Sequence, residues 1–412
     1  MSAPERALLI TGARLVCPAT GLDRVASLLV AGRAIAAIDP ADPPAAARRV
    51  DAAGLVIAPG LIDSLAWRTD PAAARAGGIT RLVLMPDQSP PLDDPALVER
   101  AERIGKPAVW VHPLAAATRG LEGSELAEIG LMREAGAVGV ATGRRAVRSA
   151  ALMYRLLTYA RGLDLPVVTH AEDWGLTEGA VATQGELATR LGLPAAPAFA
   201  EALAVARDLR LAEATGAHLH IAQLTTAEAV ALVRAAKARG LRVSAGVTIN
   251  HLFATDVAIG EYRSFARLSP PLREEADRRA VVMGVADGTI DVIASGHDPR
   301  TDDEKRLPFA DAAPGAVGQA LLLALALGLE REGHLSLPAL IACMTTAPAR
   351  IFGLPGGRIA PGEDADLVAF DPGAPWRIDS DRLPGLAGNT PFDGLPVQGK
   401  VVWVMKGGDL AP

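Results

Sequence analysis

Short apolar runs recur through the middle of this 412-residue chain, each bounded by glycine, proline or aspartate. The first spans 55–62 and breaks into a polar loop at Asp63 that continues through Trp67 to Pro71. RLVLM follows from Arg81, AVWVHP from Ala108, AVGVAT from Ala137 and PVVTHAE from Pro166. LHIAQL around Leu219, RVSAGVTIN from Arg242 and DVIASGHDP from Asp291 complete the series. Runs this continuously apolar suit strands covered on both faces, as in parallel sheets. Helical spacing fills most of the gaps, at 94–105, 124–135, 149–161, 199–215, 227–240 and 274–287. Eight strands joined by helices predict an α/β fold, a (β/α)8 TIM-like barrel. An open doubly wound sheet is the rival, but no Gly-x-Gly-x-x-Gly follows an early strand.

The two ends have a different texture. ALLITGARLV, ASLLVAG and AIAAID near the start are short apolar runs punctuated by turn residues, and 356–372 and 399–408 repeat that character. We expect 1–57 plus 353–412 to form a small accessory β-sandwich of antiparallel strands, and 58–352 to form the barrel. Two segments interrupt the alternation, 174–197 and 300–318. Long loops at the carboxyl ends of barrel strands build sites or interfaces.

Composition narrows the class. The chain is 50% hydrophobic, 21% charged and only 4% aromatic, a mix that suits aliphatic strands under alanine-rich helices. Its formal net charge is −6 with no block of one sign, so neither a nucleic-acid nor a membrane partner is expected. Cys17 and Cys343 make no Cys-x-x-Cys pattern. The start, with an acid at Glu5 and no long apolar core, does not read as a signal peptide, and a cytoplasmic location is expected.

PGLID from Pro59, THAED from Thr169, HLHIAQLTTAEAV from His218, VTINHL from Val247, LSPPLR from Leu268, SGHDP from Ser295 and EKRLPF from Glu304 occur in one order along the chain. With 76–95 around Asp87, they resemble the dihydroorotase branch of the amidohydrolase superfamily almost end to end. The resemblance implies a metal-activated water at an amide carbon and an aspartate that moves the proton. It also implies zinc held by histidines on strands one, five and six and by a lysine carbamate or carboxylate on strand four.

Those positions are degenerate here. Leu65 and Trp67 stand where the family has His-x-His, and Thr69 where an arginine grips the substrate carboxylate. Asp87 replaces a substrate-binding asparagine, Gln223 a strand-six histidine, Gly296 the proton-carrying aspartate and Arg300 a substrate-side histidine; Ser269 replaces another asparagine. Strand four offers no ligand from Ala137 to Arg145, and only His170 survives. One imidazole falls short of the three or more protein ligands of a catalytic zinc site. Asp298 keeps the parity of Gly296, whereas His297 should point away; His218 and His220 share a face that Gln223 does not. Bland readings compete for single residues. His170 reads as a hydrogen-bonded relic, His251 and His112 as structural, Glu172-Asp173 as a local pair and Trp67 as a filler of the vacated volume. Arg144, Arg145, Arg300, Lys305 and Arg306 suggest an anion-binding rim or, preferred, an intersubunit ion-pair surface.

The expectation from these losses is a non-catalytic dihydroorotase homologue in pyrimidine synthesis, without cofactor, a homo-oligomer and structural partner of aspartate carbamoyltransferase. One alternative is an active dihydroorotase or other cyclic-amide hydrolase with a rearranged zinc site. The other is a small-molecule sensor that keeps the pocket without the chemistry.

Overall fold

The computed structural model describes residues 7–411; Glu5 and its neighbours lie outside the described residues. The barrel strands are β1 (Leu61–Ala66), β2 (Ile79–Leu84), β3 (Trp110–Pro113, continued by Ala115–Ala116) and β4 (Val140–Ala141). They continue with β5 (Val167–Thr169), β6 (Leu219–Ile221), β7 (Val243–Thr248) and β8 (Val292–Ala294). Each pairs in parallel with its neighbour. A parallel bridge from Ala66 to His297 closes the ring. The (β/α)8 expectation therefore holds.

Apart from β3, where Trp110 and His112 are only half-buried, the strands are buried along their length, which is why they read as continuous apolar runs. Between them lie α1 (Pro71–Ala76), α2 (Pro95–Ile104), α3 (Ile129–Glu134), α4 (Ala150–Gly162) and α5 (Phe199–Thr215). Then come α6 (Ala227–Ala238), α7 (Glu275–Ala286) and α8 (Leu322–Arg331). Local chemistry sets their starts: Asp94, Ser149 and Thr226 each accept from a backbone N–H of the first turn. α3 is shorter than its expected range because 124–128 runs on as loop. The long segment 174–197 is not structureless, holding short helices at Trp174–Thr177 and Glu186–Leu191 and a two-stranded pair.

Both chain ends enter one eight-stranded sheet, in which Val56–Pro59 pairs with Leu367–Arg377. The sheet is mixed, not purely antiparallel: Ala7–Cys17 runs parallel to Arg48–Asp51 and to Val56–Pro59. The reason is topological. After the hairpins through Leu22–Ala31 and Ala34–Ile38, the chain returns to the far side of its first strand.

A buried ion pair ties sheet to barrel. Arg81 on β2 donates to Asp366 at 2.7 Å, with both side chains 4% exposed. Trp110 Nε1 donates to the same carboxylate at 3.1 Å, and the Lys406 ammonium lies 3.5 Å from the centre of the Trp110 ring. His112, for which the sequence offers no partner, lies 3.5 Å from Arg81, and burial pushes its pKa down to about 4. Among the described residues no helix is long and apolar enough to cross a membrane.

Candidate functional site

The carboxyl ends of the barrel strands meet around a narrow mouth lined by Trp67, Arg144, Gln223, Thr248, Asn250, His251, Ser269, Gly296 and Asp298, among others. Its free volume is about 20 Å³, room for about one water molecule. The reason is Arg144, just past β4. Its guanidinium carbon lies 3.7 Å from the centre of the Trp67 ring, and its Nη2 donates to Asp298 at 2.5 Å. Asp298 also accepts from Arg300 at 2.8 Å and is almost fully buried. Both guanidiniums donate to the same oxygen, Oδ2, through charge-assisted bonds.

Of the degenerate family positions, Trp67, Gln223, Ser269 and Gly296 line this mouth. Leu65 is buried in the apolar barrel interior with Val83 and Met85. The Thr69 hydroxyl is buried without a partner. Asp87 uses Oδ1 to accept the backbone N–H of Arg144 at 2.9 Å, while its Oδ2 has none; burial raises its pKa. Gln223 donates to the Ser269 carbonyl at 3.3 Å. Arg300 donates to the Pro314 carbonyl and pairs with Asp298 and Glu304.

Gly296 has φ +62°, and a Cβ placed on it would come within 2.8 Å of Thr248 Cγ2. Despite the left-handed turn the alternation persists: Asp298 lines the mouth with Gly296, and His297 points away from it. His297 instead accepts at Nδ1 from the Gly318 and Gln319 N–H groups, and its Nε2 lies 3.5 Å from Asp70. His218 and His220 share Ser244 as a partner, and burial pushes His220 down to about 3.

His170, at the end of β5, is 2% exposed and has Nε2 3.0 Å from Glu172, while its Nδ1 has no partner. Burial alone would raise the Glu172 pKa, but the hydrogen bond and charge of His170, with Arg273, outweigh it and hold Glu172 low. Asp173 does different work, accepting from Leu176 N–H at the start of the next short helix. His251 lies between the Thr248 hydroxyl and the Pro270 carbonyl, and burial lowers its pKa to about 4. The neutral ring must donate from Nε2, since a carbonyl can only accept.

Two supporting residues escape a sequence reading. Glu201 on α5 is fully buried; it accepts from the Thr225 and Thr226 N–H groups and hydroxyls and lies 3.5 Å from Arg273. Arg273 in turn donates to Thr225 and Thr183 and lies 3.7 Å from Glu172. The only signal for Glu201 was an acid, like Asp208 seven residues on, set among the apolar positions of an alanine-rich helix.

The preferred interface reading of the basic residues does not survive for three of them. Arg144 and Arg300 turn inward to Asp298, and Lys305 is buried, donating to the carbonyls of Ser264, Arg267 and Ala313. Uncompensated carbonyls and a buried carboxylate attract these cations more strongly than a solvated surface does. Arg145 stays exposed, and Arg306 pairs with its neighbour Asp302.

Could the mouth hold the family's zinc? Leu65 and Trp67 offer no lone pair, Gln223 is a poor zinc ligand, and His170 spends Nε2 on Glu172. The Arg144 guanidinium adds a fixed positive charge in the same mouth. No group of three or more histidine, cysteine or acidic side chains is placed to hold a metal among the described residues. The residues present do not fit that metal centre.

The Amidohydrolase family model matches residues 84–411. A protein named Dihydroorotase from Syntrophotalea carbinolica is 39% identical over 419 residues, covering 98% of each chain. Another from Geobacter metallireducens is 38% identical over 420 residues, covering 98% of this chain and 99% of its own. Among solved structures, an L-hydantoinase (dihydropyrimidinase) from Arthrobacter aurescens superposes with a TM-score of 0.86 at 24% identity. It covers 98% of this chain and 95% of its own, a likeness of fold. The sequence relatives overturn the expectation of a non-catalytic homologue, since chains alike over nearly their full length carry an enzyme's name. Missing ligands do not entail missing turnover, because imidazole–carboxylate pairs move protons and guanidiniums polarise carbonyls without metal. The chain belongs to the amidohydrolase family and, within it, groups by sequence with the dihydroorotases.

Proposed function

We propose that this chain acts on the ring amide of a small carboxylated cyclic ureide of the dihydroorotate type, opening or closing it. The observation that carries this reading is the identity of 38–39% with proteins named Dihydroorotase across nearly the whole chain. Because the donor set does not fit the family's metal, no step is routed through one.

What the chain's own residues supply supports the reading in part. Arg144 is placed to take up negative charge on a carbonyl oxygen, the role of preorganised donors in acyl chemistry. His170, oriented by Glu172, has a free ring nitrogen with which to move a proton. For substrate to enter, Arg144 must leave Trp67, since the closed mouth has about 20 Å³ free. Ligand pockets run to roughly 300 Å³ and more.

The test is direct. Purified chain incubated with dihydroorotate in one tube and N-carbamoyl-L-aspartate in another is followed by chromatography. Interconversion that is lost in His170→Ala supports the reading; no interconversion in either direction defeats it.

A further inference from the structure

Outside the mouth, between the loop after β5 and the segment before α7, lies a second cavity of about 350 Å³. Three guanidiniums line it, from Arg144, Arg145 and Arg267, against two carboxylates, Glu172 and Glu178. These charges are not equally engaged. Glu172 is taken by His170 and faces Arg273, and Arg144 is taken by Asp298. Arg267 donates Nη1 only to the neighbouring Leu268 carbonyl, and its Nε is buried without a partner. Arg145 lies 5.5 Å from the centre of the Trp174 ring and has no carboxylate partner among the described residues. Trp174, whose Nε1 is also buried and unpartnered, forms an aromatic wall of the same cavity. Unpaired guanidiniums beside an aromatic face, in a cavity of ligand size, are the elements of an anion site for a flat molecule.

We infer that this vestibule binds a carboxylate anion with a planar amide or ureide body, its carboxylate between Arg145 and Arg267 and its flat part against Trp174. The inference rests on the proposed function for the kind of anion, and it moves carboxylate recognition away from the loop after β1. Thr69 there has no charge to offer, whereas the GRR turn after β4 and the loop before α7 do. An anion held here also competes with Asp298 for Arg144, which lines both cavities. Binding would then draw Arg144 off Trp67 and open the mouth.

Titration of the full-length chain with N-carbamoyl-L-aspartate, read by calorimetry and tryptophan fluorescence, tests this. Saturable binding is expected, weakened by about 10- to 100-fold in Arg267→Ala and in Arg145→Ala, as for loss of a charge-assisted hydrogen bond. Arg145 is exposed, so Arg145→Ala keeps the test valid even if Arg267→Ala unfolds; thermal melts of both check this. Absence of saturable binding, or affinities in folded variants equal to the parent's, would overturn the inference. Binding without turnover defeats the catalytic reading and leaves the anion site standing. Turnover with a KM that ignores both substitutions does the reverse.

Discussion

Arg144 lies with its guanidinium 3.7 Å from the centre of the Trp67 ring and 2.5 Å from Asp298, so the barrel mouth carries its own cation. Removing it leaves Asp298 paired with Arg300 and Trp67 uncovered. Arg144→Ala is expected to cost about 1–2 kcal/mol, the scale of a partly buried cation–π contact plus one of two ion pairs. Acrylamide quenching should rise as Trp67 becomes accessible. If turnover is found, this variant should lower it by about 100-fold or more, as loss of an oxyanion donor does.

Restoring the family's aspartate should harm the fold. Gly296→Asp puts an L side chain at φ +62° and a Cβ 2.8 Å from Thr248 Cγ2. The backbone strain alone costs about 1–3 kcal/mol. A lower melting temperature and no gain in turnover are expected; a variant as stable as the parent would show that the turn at Gly296 accepts an L side chain without strain.

Much of the fold was legible because its determinants are local or periodic. Strands buried on both faces read as unbroken apolar runs, and Asp94, Ser149 and Thr226 mark helix starts through a single capping oxygen. The site was less so. The motifs suggest where the family's ligands would stand, but that Arg144 closes the mouth depends on the turn after β4, which no spacing rule gives. Parity did carry past the left-handed glycine, since Asp298 lines the mouth with Gly296 and His297 does not. The partnership of Glu201, Thr225 and Arg273 joins three distant segments and leaves no pattern in sequence.

The tie between sheet and barrel should be the most costly single contact to break from one side. Asp366→Ala removes the carboxylate that faces Arg81 at 2.7 Å and Trp110 at 3.1 Å, leaving a buried guanidinium with only Asp364 at 3.8 Å. A loss of about 3–5 kcal/mol is expected in urea unfolding, the scale for stranding a buried charge. A loss below about 1 kcal/mol would mean that water or Asp364 takes over.

Stability should depend on pH through buried imidazoles. His251 is held neutral by burial, with its pKa lowered from 6.5 to about 4. Below its ordinary value the unfolded chain binds a proton that the folded chain refuses. The contribution is therefore complete above pH 6.5 and is lost as pH falls toward 4. Within that window His251→Gln should reduce the slope of unfolding free energy against pH by up to about 1.4 kcal/mol per unit. An unchanged slope would place a charged ring in the fold.

In place of a metal centre, the working end of this barrel holds the Arg144 guanidinium. Elemental analysis of the purified chain, paired with dihydroorotate turnover before and after exhaustive chelation, tests it most directly. Substoichiometric zinc and turnover that survives chelation are expected; stoichiometric zinc whose removal abolishes turnover, with restoration on adding it back, would show a working metal centre instead.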